Sequence, residues 1–261
     1  MTQRETAISI IQRLHEAGYE AFLVGGCVRD ELCGVDPEDY DISTSAQPEE
    51  VEELFAKTVG VGKSFGVMMV LESGNQFEVA TFRADGDYED GRRPKEVKFV
   101  DAQTDAGRRD FTVNGLFLNP LTNKVHDWVG GKTDLKARTL RTIGDPVERF
   151  GEDHLRLLRA VRFAAQLDFQ IDPTTFSAVQ AHAEKVANVS AERIRDELLK
   201  LFRPTHAARG LDLLRESGLL EHVLPELMPT IDCEQTPDYH PEGNVYNHIR
   251  LMLDTMPPDA P

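Results

Sequence analysis

The sequence predicts an α+β protein of 261 residues: a mixed N-terminal part of small sheet and helices over residues 1–144, an all-α segment over 145–210, and the start of a further helical region over 211–261. Three observations lead there. Short apolar runs punctuated by glycine turns alternate with helical patterns in the first half. From about Ile143 the pattern becomes helical throughout. Between the two halves, Asp145-Pro146 forms a break, because a proline cannot continue a preceding helix.

In order along the chain, Ile8, Ile11 and Leu14 have helical spacing, so residues 5–17 are predicted as a helix that Gly18 stops. The apolar run Ala21 to Val24 is a strand that enters Gly25-Gly26. Pro48 and the Glu-rich stretch to Lys57 form a second helix. Residues 66–71 and 76–82 are a strand pair turning at Ser73-Gly74-Asn75. The polar segment RADGDYEDGRRPKEVK, 83–98, is expected to be a loop that moves over a site. The run GDPVERFGEDHLRLLRAVRFAAQL reads as one amphipathic helical stretch, and more helix is expected over 174–187, 190–203 and 206–217.

The net charge is −16, which argues against an extended nucleic-acid surface, since phosphate affinity comes mainly from Lys and Arg. The average hides one basic stretch: Arg108 to Arg162 holds eleven Lys or Arg against seven Asp or Glu, +4, leaving about −20 elsewhere. That suits a triphosphate and an RNA end. No apolar run reaches the roughly 18 residues of a membrane span, and MTQRETAISIIQRL lacks the layout of a secretory signal, so no membrane is expected and the cytoplasm is the expected compartment. Cys27, Cys33 and Cys233 lack metal-ligand pairing and are read as reduced thiols. Nothing in the sequence sets an oligomeric state.

The most informative segment is LVGGCVRDELCGVDPEDYDIST, Leu23 to Thr44. Asp39 and Asp41 alternate as i and i+2, so with Tyr40 in a strand both carboxylates leave one face while Tyr40 and Ile42 pack behind. Two carboxylates on one face make a Mg2+ site. Gly25-Gly26 lacks Cβ atoms, so backbone N–H groups can turn toward an anion, and Arg29 adds a forked donor suited to phosphate oxygens. Glycine turn, GGxxRD and a following DxD, in this order, resemble the active-site motif of the DNA polymerase beta nucleotidyltransferase superfamily. More narrowly, the segment resembles the bacterial and eukaryotic class of CCA-adding tRNA nucleotidyltransferases with their poly(A) polymerase relatives. In that family a nucleotidyltransferase head precedes a helical neck and body.

The resemblance implies a template-independent enzyme that adds CMP and AMP from CTP and ATP to the 3′ end of tRNA, with two Mg2+ ions held by Asp39 and Asp41. Glu78, on QFEVATFR, is either a third metal carboxylate or a strand-edge charge. RRDFTVNGL from Arg108 resembles the family's RRDFTINA, with Val113 and Gly115 as departures. It implies that Arg109 contacts triphosphate, while Asp110 and Asn114 fix local backbone. GEDHLRLLRAVRF from Gly151 matches the family's nucleotide-selecting element. On one helix Asp153, Arg156 and Arg159 would fall within about 120° of one another, with Arg162 further round. An Asp153 carboxylate accepting from an exocyclic amine, beside an Arg156 guanidinium donating to ring nitrogen or carbonyl, fits cytosine and adenine. Uracil and guanine would set a carbonyl against the carboxylate, and an ordinary Asp–Arg surface pair is the plainer reading of the same residues. The resemblance also assigns Gly26, Arg29, Arg159 and Arg162 to the nucleotide. SAERIRDELLKLF places Ser190 as N-cap and resembles the family's ERIRDEL, where the arginine, here Arg193, supports the neck; a plain structural helix reads equally well.

CC-adding, A-adding and poly(A)-adding relatives share these motifs, and a non-catalytic nucleotide or RNA binder is a reading from another class. YHPEGNVYNHIRLMLD resembles the opening of an HD-like region. His240, His248 and Asp254 could begin a metal phosphohydrolase, but that site needs an adjacent HD pair, and none follows in this segment. The body is therefore expected to be incomplete.

Overall fold

The structure, a computed structural model, describes residues 1–86 and 96–259. The described residues form two compact units, one of residues 1–86, 96–137 and 141–144, the other of 138–140 and 145–259. Among them no helix is long and apolar enough to cross a membrane.

The first unit begins with α1 (Gln3–Glu16), whose start is a reciprocal cap: Thr2 Oγ1 accepts from the Glu5 amide at 3.1 Å, and Glu5 accepts from the Thr2 amide at 2.8 Å. There follow β1 (Ala21–Val24), α2 (Gly26–Leu32), β2 (Asp41–Thr44), α3 (Pro48–Leu54), β3 (Thr58–Gly62), β4 (Val67–Glu72) and β5 (Asn75–Thr81). After them come β6 (Arg83–Asp85), β7 (Val97–Phe99), α4 (Ala102–Gly107), β8 (Phe117–Asn119), β9 (Lys124–His126) and α5 (Gly131–Lys136). One seven-stranded sheet has the order β3-β4-β5-β2-β1-β8-β9. β1 lies antiparallel to β2, with Leu23 opposite Ile42, and to β8, with Val24 opposite Phe117; β2 runs parallel to β5, with Ile42 opposite Val79.

Alternation along β1 splits the core in two. Ala21 and Leu23 face the larger cluster with Ile10, Ile11, Leu14, Tyr40, Ile42, Phe77 and Val79. Phe22 and Val24 face the other side, with Phe82, Phe117, Ala102 and Ala106. Strand β1 is buried on both faces, which explains why it reads as an unbroken apolar run. The short β8 and β9 and the glycine-bearing β3, TVGVG, are strands that sequence patterning misses, because three to five residues carry too little periodicity.

The polar segment 83–98 differs from the loop expected there. Its ends pair as an antiparallel ribbon, Arg83 opposite Phe99 and Asp85 opposite Val97, and residues 87–95 lie outside the described residues.

The second unit holds β10 (Thr139–Leu140), α6 (Pro146–Glu152), α7 (Leu155–Leu167), β11 (Gln170–Ile171), α8 (Pro173–Ala181), α9 (Ala191–Leu201), α10 (Ala207–Glu216), α11 (Leu220–Val223) and α12 (Val245–Asp254). Leu157, Leu158, Val161 and Ala164 of α7 are fully buried, as are Leu201 of α9 and Leu214 of α10, and α7 packs against both of those helices. Three expectations are corrected here. The C-terminal half is not wholly helical, since β11 pairs in parallel with β10, Leu140 opposite Ile171. The stretch 145–167 is two helices, not one, because the backbone is extended at Asp153 (φ −143°, ψ 108°). Ser190 occupies the N-cap position of α9 but makes no capping bond with its side chain. Asp145 does make one: its carboxylate accepts from the Val147 and Glu148 amides at 2.9 and 3.0 Å, and Pro146 opens the helix.

Candidate active site

In the first unit the predicted acidic residues collect on one sheet face. Asp39 and Tyr40 precede β2 instead of lying in it, yet the alternation holds: Tyr40 and Ile42 are buried in the larger core cluster, so Asp39 and Asp41 turn to the opposite side. The parallel register that sets Ile42 beside Val79 puts Glu78 next to Asp41 on the same face. Burial pushes the Asp41 carboxyl up to about 7, helped by the negative charges of Glu78 and then Asp39, and opposed by Arg109.

The Gly25 bend borders these carboxylates. Its φ of 73° with ψ of −134° is a conformation that side chains disfavour, and a Cβ there would lie 3.5 Å from Arg109 Nη1 and 3.9 Å from Asp41 Oδ2. Gly26 is the first residue of α2, and a Cβ there would meet the Arg29 guanidinium at 3.5 Å. The backbone thus runs between the Arg109 guanidinium and the Asp41 carboxylate, with no side chain of its own in the way.

Arg109 is held from three sides. Its Nη2 donates to Asp105 Oδ2 and to Ser43 Oγ, each at 3.0 Å, and its guanidinium lies 4.8 Å from the centre of the Phe117 ring. Asp105, fully buried, also accepts from Arg108 Nε at 2.9 Å and from the Arg83 amide at 3.1 Å. Burial works to raise its carboxyl, but Arg109 and Arg108 outweigh it and the net direction is down. Asp105, Ser43 and Phe117 were not singled out from sequence. Only Asp105 left a signal there, at i−3 and i−4 from two arginines.

Arg29 is buried, donating to both carboxylate oxygens of Asp30 at 2.8 and 3.0 Å and to Asn114 Oδ1 at 2.7 Å. Asn114 donates to Asp110 Oδ1 at 3.1 Å, which also accepts from the Phe111 amide at 2.8 Å. These contacts tie α2 to the RRDFTVN segment. Of the two residues expected to fix backbone, Asp110 bonds the Phe111 amide, whereas the Asn114 side chain links Arg29 to Asp110.

The second unit carries the other predicted residues. Asp153 sits in the gap between α6 and α7, so the single-helix argument for grouping it with Arg156 and Arg159 does not hold. Its carboxylate instead accepts from the Leu155 amide at 3.0 Å and takes both Nη1 and Nη2 of Arg193, at 3.1 and 2.7 Å. Its carbonyl accepts from the Arg156 amide at 3.0 Å, which keeps the two residues adjacent. Arg156 donates to the Arg149 carbonyl at 3.0 Å and to Glu152. Arg162 donates to buried Glu197 and, at 2.9 Å, to Gln166, and lies 3.8 Å over the Phe163 ring. Arg159 approaches the same ring at 5.0 Å and Glu197 at 3.8 Å. Glu152 and Glu197, which organise these arginines, were not anticipated.

Comparison with known proteins places this geometry. Residues 21–141 match the poly(A) polymerase head domain, and residues 168–231 match the "Probable RNA and SrmB-binding site of polymerase A". The chain is 44% identical over 218 residues to the CCA-adding enzyme of Bacillus pumilus, covering 83% of this chain and 54% of that protein. It is 45% identical over 232 residues to the CCA-adding enzyme of Levilactobacillus brevis, covering 88% and 58%. The crystal structure of the Bacillus stearothermophilus CCA-adding enzyme in complex with CTP superposes with a TM-score of 0.80 at 39% identity, over 89% of this chain and 56% of that one. The chain thus spans about half the length of the relatives it matches. With sequence, fold and the order of motifs in agreement, it belongs to the poly(A) polymerase and CCA-adding enzyme family.

Proposed function

We propose that this chain adds CMP and AMP, from CTP and ATP, to the 3′ end of tRNA without a nucleic-acid template, releasing pyrophosphate. The observation that carries the reading is the convergence of Asp39, Asp41 and Glu78 on one sheet face bordered by Gly25 and Arg109. Enzymes of this family use divalent metals, and two Mg2+ ions are proposed here because an all-carboxylate donor set is the hard-oxygen kind that Mg2+ takes. The raised Asp41 carboxyl is consistent with this, since burial and then the nearby Glu78 and Asp39 charges disfavour its anion until a cation offsets them. Bound there, the ions would lower the pKa of the RNA 3′ hydroxyl and neutralise charge on the triphosphate.

The chain's own residues do the rest. Asp39 and Asp41 hold the metals, with Glu78 as a third carboxylate. The Gly25-Gly26 backbone approaches the triphosphate and Arg109 donates to it. Arg29 acts from behind, fixing α2 through Asp30 and Asn114. In the second unit Asp153 accepts from the exocyclic amine of cytosine or adenine while Arg156 donates beside it, and Arg159 and Arg162 serve the nucleotide. Arg193 orients Asp153, and Glu152 orients Arg156, so the base meets groups already fixed in place. Among the described residues Cys27, Cys33 and Cys233 form no disulfide, which suits a reducing compartment, the cytoplasm.

The test is to incubate a tRNA lacking its 3′ end with each nucleotide separately and together, then sequence the product ends. Successive C, C and A is the expected result. A run of A, or CC alone, selects a poly(A)-adding or CC-adding enzyme, and no incorporation makes the chain a binder. Asp153→Ala should cut the preference for CTP and ATP over UTP and GTP at least tenfold, the loss of one buried hydrogen-bond discrimination.

A further inference from the structure

The segment around α12 holds a cluster that nucleotide transfer does not use. Among the described residues, one ligand atom each from His240, Glu242 and His248 lies within 4.8 Å of the others. His240 Nδ1 is 3.2 Å and His248 Nδ1 2.5 Å from the same oxygen, Glu242 Oε1, and the two imidazole rings meet edge to face at 5.0 Å. Asp254, grouped with the two histidines on sequence grounds, is exposed at the far end of α12 and is not part of this cluster.

The backbone beneath the three side chains is tied down. Asn244 caps α12, its Oδ1 accepting from the Asn247 backbone amide at 2.9 Å, and its side-chain Nδ2 donates to the Ile231 carbonyl at 2.7 Å. Asn247 Nδ2 donates to the Glu242 carbonyl at 3.1 Å, and the Val245 amide to the Cys233 carbonyl at 2.9 Å. Gly243, at φ 98°, makes the bend that turns Glu242 back over the first turn of the helix. His240 and Glu242 from the loop and His248 from the helix are therefore presented together by local structure alone.

We propose that His240, Glu242 and His248 form a binding site for a divalent late transition metal ion, with Zn2+ the type case. Two imidazole nitrogens and one carboxylate oxygen are the donor set that favours Zn2+, Co2+ or Ni2+ over Mg2+ or Ca2+. Bonds of about 2.0–2.2 Å around one ion need donors roughly 3.3 Å apart, within reach of small rotamer shifts from the observed spacing. All three side chains are partly open to solvent, so an ion can enter, and three protein ligands leave its remaining positions to water. The site requires no HD pair, and it is independent of the nucleotide-transfer reading.

The experiment titrates the full chain with CoCl2, followed by visible absorption, and with ZnCl2 against a chromophoric chelator, in excess Mg2+ to occupy the Asp39 and Asp41 face. One Co2+ or Zn2+ per chain is expected. Glu242→Gln, His248→Gln and His240→Gln should each weaken binding at least tenfold, with far-UV circular dichroism and tRNA end-labelling unchanged. His240 lies in the loop outside α12, so its variant reports on the ion even if a change at His248 loosens the helix. Absence of saturable binding in the parent chain, or unchanged affinity in Glu242→Gln and His240→Gln, would overturn the proposal.

Discussion

The titration of Asp41 has a thermodynamic consequence. Its carboxyl is pushed up from the ordinary 3.8 to about 7 in the folded chain. Between those values the folded state keeps a proton that the unfolded state releases, so metal-free stability falls as pH rises from about 4 through 7. Asp41→Asn removes this slope. In chelator at pH 8 it should unfold at higher urea than the parent, by about 1–4 kcal/mol, with a smaller gap at pH 5. A variant less stable than the parent at pH 8 would contradict the burial of the Asp41 charge beside Glu78 and Asp39. Asp105 has the opposite sign: its carboxyl is lowered, so it stabilises above the ordinary carboxylate range and the contribution is lost as pH falls. Asp105→Ala should cost about 2–3 kcal/mol in urea unfolding at pH 7, because two partly buried guanidinium groups lose their shared partner. The shared face of Asp39 and Asp41 and the bend at Gly25 were legible because these placements depend on neighbours two or a few residues away. Ser43 and Phe117 were not, because they reach Arg109 only through the pairing of β1 with β2 and β8.

At the scale of elements, the sequence shows where apolar periodicity is long and hides what a single polar residue decides. Helices α1, α7, α9 and α10 follow from it, and so does the β4–β5 hairpin turning at Ser73-Gly74. The break between α6 and α7 does not. Glu152-Asp153-His154 continues the helical pattern on paper, but the Asp153 carboxylate takes the Leu155 amide and the Arg193 fork, and these bonds favour an extended residue there. The β10–β11 pair was equally hidden, since two residues have no period. Helices α9 and α10 meet at Gly210, where an added Cβ would lie 2.6 Å from Leu201 Cδ1, a fully buried side chain. Gly210→Ala should therefore destabilise the chain by about 1–3 kcal/mol, measured from the urea midpoint, and Leu201→Val in the same chain should recover part of the loss. No change in midpoint would show that this helix contact yields freely.

For the whole molecule, composition and function pull apart. A chain of net charge −16 belongs to a family of enzymes acting on nucleotides and RNA, and the conflict eases because the basic residues concentrate between Arg108 and Arg162. Family membership was legible because four motifs recur in a fixed order, which no single motif establishes. The most direct test of the account is the rate of labelled CTP and ATP incorporation into tRNA lacking its 3′ end, with Mg2+, for the parent chain and Asp41→Asn. The account predicts C and A addition by the parent and a loss of at least a thousandfold in the variant, about 4 kcal/mol of transition-state stabilisation, with the variant still folded. Incorporation at the parental rate by Asp41→Asn would contradict it.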